Sequence, residues 1–357
     1  MHIVTSDELK IKTKIKAIME NELYDSLPEI VGTGEILEDY SKTGKKRKWA
    51  EHKQSNLILH KLYKKALTKE PRIITKTRLR DLKDCAERLE FAVDENGSKK
   101  LKHAFFCRVR LCPVCQWRRS LKLFGQVSKI TDYIAKDNGT IRFLFLTFTQ
   151  RNVTAQELEL GRCLDDVNTA FKLVTLKGKK FSKVQVLQKN LLGYIKSTEI
   201  TYNSKENTFH PHLHCVFAVN ASYFKGGSYI SQHEWREIWQ SAMKLDYLPQ
   251  VNAIAIKKTE QEKAVAELAK YPAKVKDVLD LPEDVAIDIL TILTNVCRKR
   301  RFVSFGGLLK DVRKKLRLQD IESKNLDLIG ADSEVDNFNA VARVIYKYNA
   351  KFGVYIN

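Results

Sequence analysis

Hydrophobic and polar residues alternate in three segments of the central part of the chain, and each segment is predicted to form a β-strand. The first comprises residues 141–149 and follows the turn signal Asp137-Asn138-Gly139. The other two comprise residues 194–202 and 211–219 and are separated by the polar stretch 203–207. A polar connection of this length between two strands predicts an antiparallel hairpin.

Helical periodicity dominates on both sides of these strands. The predicted helices comprise residues 154–175, 231–244, 259–271, 283–298 and 308–318. Residues 1–80 also have a mostly helical pattern, and the acidic stretch 320–336 precedes a tyrosine-rich tail for which a last strand or hairpin is predicted. The fold class is therefore α+β, with an antiparallel sheet at its centre.

The chain has 357 residues, which is enough for two or three domains with separate cores. The sequence predicts four regions: a mostly helical N-terminal region at 1–80, a cysteine-rich module at 81–120, a sheet-containing catalytic domain at 121–282, and a basic helical region with a tail at 283–357. No apolar run is long enough to cross a membrane, and the first 20 residues lack the apolar core of a secretory signal. We therefore expect a cytoplasmic protein without a membrane partner.

Lysine and arginine outnumber the acidic residues 63 to 43, which gives a formal net charge of +20. Basic residues also cluster beside aromatic ones at 45–49, 117–119 and 298–302. Such clusters suit phosphates flanked by stackable bases, so a nucleic acid is the predicted partner, with a solvated charged surface as the alternative. The candidate DNA contacts are Arg118, Arg119, Lys270, Arg300 and Arg301.

Two histidines, His212 and His214, would share one face of the third predicted strand. Pairing across the predicted hairpin places Glu199 opposite His212, and directly opposed residues share a face. Two imidazoles and one carboxylate form a candidate site for Mn²⁺ or Mg²⁺, with zinc as an alternative. Without a metal, the same side chains would be ordinary surface residues of a hairpin.

Tyr271 is a candidate nucleophile in the segment that follows. Glu267, Tyr271 and Lys274 are predicted to line one face of a helix that Pro272 kinks or ends. A phenol can attack a phosphodiester when a metal polarises the phosphate and cations such as Lys270 and Lys274 favour its ionised form. Glu267 is a candidate general base that activates a water molecule. Glutamate, lysine and tyrosine at helical spacing are common, so this motif alone is weak.

Four of the seven cysteines lie between residues 85 and 115, in a chain for which no disulfide framework is expected. Cys112 and Cys115 form a tight knuckle shortly after Cys107, which is typical of a tetrahedral structural zinc site. Cys85 is the predicted fourth ligand, with His103 as the alternative. Buried cysteines that act as small hydrophobic residues are the competing interpretation.

Taken in order, these motifs resemble those of the rolling-circle replication initiators of small Gram-positive plasmids, within the His-hydrophobe-His endonuclease superfamily. The resemblance covers most of the chain from about 85 to 318. Its motifs are the cysteine knuckle with the arginines that follow it, the strand at 144–149, Pro211-His212-Leu213-His214, the aromatic segment 229–247, the segment 267–274 and the segment 305–310. The cysteine, histidine and tyrosine motifs, taken together in the family order, are more specific than any one of them alone.

The resemblance implies a catalytic domain in which a five-stranded antiparallel sheet with flanking helices carries the histidine pair. It implies that Tyr271 nicks origin DNA that is single-stranded at the nick, becomes joined to the 5′ phosphate, and leaves a 3′ hydroxyl for a polymerase. The role implied for Glu267 is to let water perform the terminating cleavage. Host helicase and DNA polymerase are the further implied partners, and the oligomeric state stays open, with a homodimer as one alternative.

Two other functions stay open on the sequence alone. A non-catalytic, zinc-containing DNA-binding regulator would explain the charge and the cysteines, but it would leave the histidine pair without a role. A metallonuclease that uses water as its nucleophile would not need Tyr271. The sequence also leaves open whether His210, just before the histidine pair, reaches the metal.

Overall fold

The computed structural model describes residues 22–41, 43–137, 139–176, 184–257, 261–270, 275–331 and 338–357. Its strands are β1 (Glu29–Ile30), β2 (Arg88–Asp94), β3 (Lys99–Ala104), β4 (Ile141–Phe148), β5 (Val153–Thr154), β6 (Leu191–Asn203), β7 (Thr208–Asn220), β8 (Val251–Ala255), β9 (Val303–Gly306), β10 (Ala340–Asn349) and β11 (Val354–Ile356). Its helices are α1 (Trp49–Lys69), α2 (Lys76–Asp84), α3 (Pro113–Asp137), α4 (Glu157–Thr175), α5 (Val184–Asn190), α6 (Gln232–Met243), α7 (Gln261–Leu268), α8 (Val275–Leu279), α9 (Glu283–Cys297) and α10 (Gly307–Lys315). Among the described residues, no helix has the length and apolar character needed to span a membrane.

Helices surround a central antiparallel sheet with the strand order β8-β4-β7-β6-β9. The short strand β5 pairs with β7 outside this path. The α+β class and the five-stranded antiparallel sheet are therefore confirmed, with β5 as an addition. The three strands predicted from alternation correspond to β4, β6 and β7, and the polar stretch between β6 and β7 closes the expected hairpin.

The two faces of the central sheet pack against different cores, because side chains alternate along β7. One core contains the β7 residues Leu213, Cys215, Phe217 and Val219. Trp235 and Trp239 of α6 are fully buried in the same core. Val216 belongs to the larger core on the other face. His212 and His214 lie on that second face, since they share the alternation of Val216.

Helix α7 packs on the face of the sheet that carries the histidines. Val265 and Leu268 anchor it in the larger core, where they are 1% and 0% exposed. Burial of an aliphatic side chain of this size contributes about 1.5–3 kcal/mol. This anchoring holds the start of the tyrosine motif against β7.

A second sheet, which the sequence analysis did not predict, joins distant parts of the chain. Its strand order is β1-β10-β2-β3, with β11 paired to β10. The hairpin β10-β11 matches the strand or hairpin expected for the tail. The cysteine-rich segment contributes β2 and β3, and Phe91 of β2 pairs with Val344 of β10. Residues from three of the four predicted regions therefore share one sheet.

Candidate metal centres and basic surface

The hairpin β6-β7 carries the first candidate metal centre. In its register, Glu199 pairs with His212 and Ser197 pairs with His214. The pairing of Glu199 with His212 that the turn predicts is therefore observed. Because side chains alternate along a strand, the carboxylate and both imidazoles project from the same face of the sheet.

These three side chains converge on one point. Glu199 Oε2 lies 3.0 Å from Nε2 of His212 and 3.0 Å from Nε2 of His214, and the three donor atoms lie within 4.8 Å of one another. Neighbouring ligands of an octahedral site with bonds of 2.0–2.1 Å are about 2.9–3.0 Å apart. The donor spacing therefore fits a small divalent cation, and the nitrogen and oxygen donors suit Mn²⁺, Mg²⁺ or zinc.

Surrounding contacts fix the orientation of the two imidazoles. Thr147 Oγ1 lies 3.3 Å from His214 Nδ1, and the carbonyl oxygen of His210 lies 3.3 Å from His212 Nδ1. Phe145 stacks on His214 with the ring centroids 5.8 Å apart. Contacts at Nδ1 leave Nε2 of both rings directed at the carboxylate, as in metal sites whose histidines are oriented by outer hydrogen bonds.

The first metal centre is buried on one side and accessible on the other. Glu199 and His214 are 2% and 5% exposed, whereas the side chain of His212 is 13% exposed. Burying a carboxylate is costly unless it is paired or bound to a metal, and the two imidazole contacts of Glu199 meet that condition. Solvent reaches the centre at His212.

His210 stays outside this cluster. Its ring centroid lies 5.2 Å from that of His212, and it pairs with Thr201 across the hairpin. Burial, with the nearby His212, lowers the pKa of His210. In the part of the chain that the structure describes, the convergent donor set comprises Glu199, His212 and His214 without His210.

Helix α7 brings a further carboxylate to the first metal centre. Glu267 Oε1 lies 3.9 Å from His214 Nε2 and accepts a hydrogen bond of 2.5 Å from Lys270. Tyr271 and Lys274, the candidate nucleophile and its neighbouring cation, lie outside the described residues. Among the described residues of the tyrosine motif, Glu267 is the one whose carboxylate approaches the histidines.

The second candidate metal centre is a buried cluster formed by Cys85, Cys107, Cys112 and Cys115. Sγ–Sγ distances are 3.6 Å for Cys85 and Cys115, 3.7 Å for Cys85 and Cys112, and 3.8 Å for Cys107 and Cys115. A tetrahedral site with Zn–S bonds of 2.3 Å has sulfur atoms about 3.8 Å apart. The spacing therefore fits a closed zinc site.

Hydrogen-bond donors surround these sulfur atoms. Main-chain N–H groups donate to them at 3.2–3.4 Å from Cys107, Arg108 and Val109. Asn56 of α1 donates to Cys112 Sγ at 3.3 Å. Donors of this kind favour the thiolate, the form that binds metal. Burial raises the pKa of the Cys85 and Cys107 thiols, whereas hydrogen bonds from the neighbouring thiols outweigh burial and lower the pKa of Cys112. A bound cation would favour the thiolate form of all four cysteines.

The alternative zinc ligand His103 lies away from the cysteines. It pairs with Glu90 across β2 and β3, and its ring centroid lies 5.1 Å from that of Tyr24. Over the described ranges, the donor cluster contains Cys85 and does not contain His103. The geometry therefore favours Cys85 as the fourth donor.

Two candidate DNA contacts are buried, which corrects the expectation from the sequence. Arg118 is 0% exposed and donates to the carbonyl groups of Leu328 and Ile329. Arg119 is 8% exposed and donates to the carbonyl group of Ile321. Both guanidinium groups hold the segment after α10 against α3. These hydrogen bonds give both residues a packing role, and Arg118 is enclosed too fully to reach a phosphate outside the protein.

The other candidate DNA contacts lie nearer the surface but are paired with carboxylates. Arg300 forms an ion pair with Asp165, and Arg301 forms one with Asp320. The hydrogen bond from Arg300 lowers the pKa of Asp165. Lys270 is 46% exposed and is bound to a glutamate, as described above. Part of the charge of each residue is therefore compensated within the protein.

Sequence reasoning missed Thr147 and Asn56, which contact the donor groups of the two candidate metal centres. Thr147 pairs with His214 in the register of β4 and β7, two strands that are far apart in sequence. Once that pairing is known, the alternation of β4 identifies Thr147. Asn56 lies in a helix without a motif and reaches Cys112 only through tertiary packing.

Comparisons with known proteins give the following similarities. A family model described as "Replication protein" matches residues 98–356. A "Protein rep" of Streptococcus pneumoniae serotype 2 is 34% identical over 320 residues, which cover 88% of this chain and 93% of the relative. A "Protein rep" of Lentilactobacillus hilgardii is 36% identical over 317 residues, covering 87% and 94%. A "Replication protein" of Staphylococcus aureus is 35% identical over 227 residues, covering 61% and 92%. No solved structure matches the chain significantly.

Proposed function

The chain belongs to the replication-protein family, whose model matches residues 98–356, and from this premise we propose that it initiates rolling-circle replication of a plasmid. Its proposed activity is metal-dependent nicking of one strand of origin DNA, with Tyr271 as the nucleophile and strand closure at termination. The observation that carries this proposal is the convergence of Glu199, His212 and His214 beside Glu267, a residue of the tyrosine motif.

A rigid sheet behind the three donors supports a catalytic role. Catalytic metal sites need ligands held by packed elements and an accessible side for the substrate. Glu199 and His214 are buried, and His212 is accessible to solvent. A Mn²⁺ or Mg²⁺ ion held by these three residues would polarise the phosphate that is to be cleaved.

Nicking is proposed to proceed by attack of the Tyr271 oxygen on the phosphorus atom. The bond between phosphorus and the 3′ oxygen breaks, and the proton of the phenol ends on the released 3′ oxygen. The products are a phosphotyrosine at the 5′ end and a 3′ hydroxyl that a polymerase can extend. Lys270 and Lys274 would favour the ionised phenol during attack.

Termination is proposed to depend on Glu267. Its carboxylate would accept a proton from the water molecule that attacks the second phosphate, and the broken bond is again the one to the 3′ oxygen. The released 3′ hydroxyl would then attack the phosphotyrosine, which closes the circle and frees Tyr271. A carboxylate 3.9 Å from a metal-binding imidazole supports this role.

The remaining assignments complete the proposal. The four cysteines would hold a structural zinc, because a closed set of four ligands leaves no position for a substrate. Origin DNA would be single-stranded at the nick, and the reaction would take place in the cytoplasm with host helicase and DNA polymerase. A homodimer is one proposed state of the initiator.

A denaturing gel tests the chemistry. The protein is incubated with Mn²⁺ and labelled single-stranded oligonucleotides that tile the origin region of its own replicon. We expect a covalent adduct that requires the metal and disappears in Tyr271→Phe. Tyr229→Phe is the matched control, because Tyr229 is 54% exposed and belongs to neither metal centre.

The other outcomes separate the competing functions. Cleavage without an adduct would indicate a metallonuclease that uses water. No cleavage of any tiled oligonucleotide would indicate a non-catalytic DNA-binding regulator. Glu267→Gln should still form the adduct, while hydrolysis at a second site should slow by about 100-fold or more, the usual contribution of a general base.

A further inference from the structure

A cavity of about 700 Å³ lies beside the cysteine cluster, away from the residues of the first metal centre. Its wall is formed mainly by the segment before and at the start of α2, the cysteine loop, the connection between α9 and β9, and residues 322–324. Cys107 and Val109 contribute to this wall, so the four-cysteine cluster supports one side of the cavity. We call this space the basic cavity.

The lining of the basic cavity contains ten lysines and arginines and one glutamate, Glu322. Glu322 pairs with Arg110, and the neighbouring carboxylates Asp165 and Asp320 pair with Arg300 and Arg301. The side chains of six lining cations form no ion pair within 4.0 Å among the residues that the structure describes. They are Arg72, Arg78, Arg108, Arg298, Lys299 and Lys324. With these three carboxylates and Glu70, which accepts a hydrogen bond from the main-chain N–H of Arg72, counted against ten basic residues, the cavity keeps a large excess of positive charge.

Neutral main-chain acceptors hold two of these cations in place. Arg108 donates to the carbonyl groups of Lys324 and Leu326, and Arg298 donates to those of Arg72 and Ile73. A carbonyl acceptor fixes a guanidinium without cancelling its charge. The Arg298 bonds join the connection between α9 and β9 to the segment before α2, and the Arg108 bonds join the cysteine loop to residues 324–326. The charge of these two cations is therefore preorganised.

The basic cavity adjoins the strand that carries Glu199. Val303 of β9 pairs with Ser197 of β6, and the N–H of Thr198 donates to the carbonyl group of Phe302. The run of basic residues at 298–301 therefore ends immediately beside the part of β6 that holds the metal-binding carboxylate.

We propose that the basic cavity binds the phosphate backbone of single-stranded DNA on the way to the nicking site. This inference rests on the proposed function, because it takes DNA as the substrate. Its new content is the site: a DNA-binding surface beside the cysteine cluster, in which Arg72, Arg78, Arg108 and Lys324 join the basic run that begins at Arg298.

The chemistry of the lining favours the backbone over the bases. Tyr63, the aromatic residue of the lining, is 1% exposed and donates or accepts a hydrogen bond at Thr294, so its ring is not offered for stacking. Binding should therefore be independent of sequence. The cavity volume lies in the range of small-molecule pockets. A space of this size suits a few phosphates of a flexible single strand better than a duplex.

A four-site variant tests the proposal: Arg72→Gln, Arg78→Gln, Lys299→Gln and Lys324→Gln. These four side chains are exposed, whereas Arg108 and Arg298 are kept because they join the walls. The matched control changes four exposed lysines outside the cavity, as Lys136→Gln, Lys189→Gln, Lys225→Gln and Lys347→Gln. Both variants lose the same charge, and circular dichroism melting checks that both are folded.

Affinity is measured by fluorescence anisotropy with a labelled oligonucleotide of arbitrary sequence, without Mn²⁺, Mg²⁺ or a chelator. We expect the cavity variant to bind at least about 30-fold more weakly and the control to change by less than about 3-fold. The slope of log affinity against log salt should fall by about 2–3 in the cavity variant, since each phosphate contact to a single strand contributes about 0.7.

Three results would overturn the proposal: equal losses in the two variants, a larger loss for duplex than for single-stranded DNA, or displacement of the oligonucleotide by micromolar mononucleotide. The last result would assign a nucleotide to the cavity. Because binding is measured without the catalytic metal, the assay is independent of nicking. If the wild-type protein nicks DNA and the cavity variant binds DNA as tightly as the control variant, the role of the cavity is refuted and the proposed function is not. If the cavity variant binds DNA more weakly than its control but the wild-type protein nicks no origin oligonucleotide, the proposed function is refuted and the role of the cavity is not.

Discussion

The Glu199-His212-His214 centre and the four-cysteine centre differ in their assembly and in their access to solvent. The first lies on one hairpin, and its donors are joined by local strand pairing. The second collects ligands from the end of α2, the loop after β3 and the start of α3, and all four cysteines are buried. An accessible set of three donors suits chemistry, whereas a closed set of four suits folding. The comparison therefore predicts that damage to one centre affects activity and damage to the other affects stability.

The largest effect is expected for Cys112→Ala. Zinc binding contributes on the order of 10 kcal/mol to the folding of small zinc domains, so losing one ligand should remove the zinc and lower the free energy of unfolding by several kcal/mol. The measurements are zinc content by atomic absorption and the urea midpoint of unfolding. The matched control is Cys163→Ala, another buried cysteine outside the cluster, which should keep its zinc. Equal losses of zinc and of stability in the two variants would contradict a specific role of the cysteine cluster in folding.

The next largest effect is expected for Glu199→Gln, which should lower the nicking rate and leave the stability almost unchanged. Loss of the carboxylate should reduce nicking by about 1,000-fold, or roughly 4 kcal/mol of transition-state stabilisation. The free energy of unfolding should change by less than about 1 kcal/mol, because glutamine keeps the shape and still contacts the imidazoles. Glu206→Gln, at the exposed turn of the same hairpin, is the control for nicking rate. A large fall in stability with Glu199→Gln would mean that the first centre is structural too.

The difference in assembly also decides what the sequence could predict. Glu199 was found because a hairpin has a register that its turn fixes, so counting from residues 203 and 208 reaches the observed pair. The same alternation predicted β4, β6 and β7. Tyr271 was identified by motif and resemblance, and its role stays a prediction. Local sequence patterns therefore predicted the three donor residues of the first centre.

Features that depend on contacts between distant parts of the chain were not predicted from the sequence. The second sheet needs β10 to pair with β2, and no local pattern announces that pairing. Arg118 was expected to contact DNA because it follows a cysteine knuckle in a basic cluster. Its guanidinium is instead buried by carbonyl groups that lie about 210 residues later in the chain. The basic cavity likewise combines several separate segments whose charges are ordinary when read one at a time.

A smaller effect is expected for Thr147→Val, which sharpens the comparison within the first centre. Thr147 Oγ1 contacts His214 Nδ1 at 3.3 Å, and loss of such an outer contact typically weakens metal affinity by about 10–100-fold. Titration calorimetry with Mn²⁺ measures the affinity. Thr149→Val is the control, since its hydroxyl donates to the carbonyl group of Gln250 instead. Unchanged Mn²⁺ affinity in Thr147→Val would show that β4 does not orient the histidine.

The smallest effect is expected for His103→Gln, which tests the ligand set of the second centre. His103 pairs with Glu90 on β2, away from the cysteine cluster, so zinc content should stay at one per chain and the free energy of unfolding should change by less than about 0.5 kcal/mol. Cys85→Ala is the contrasting variant and should lose the zinc as Cys112→Ala does. If His103→Gln loses zinc while Cys85→Ala retains it, the imidazole is the fourth ligand. The second centre would then share a histidine donor with the first, and the chemical contrast between the two centres would weaken.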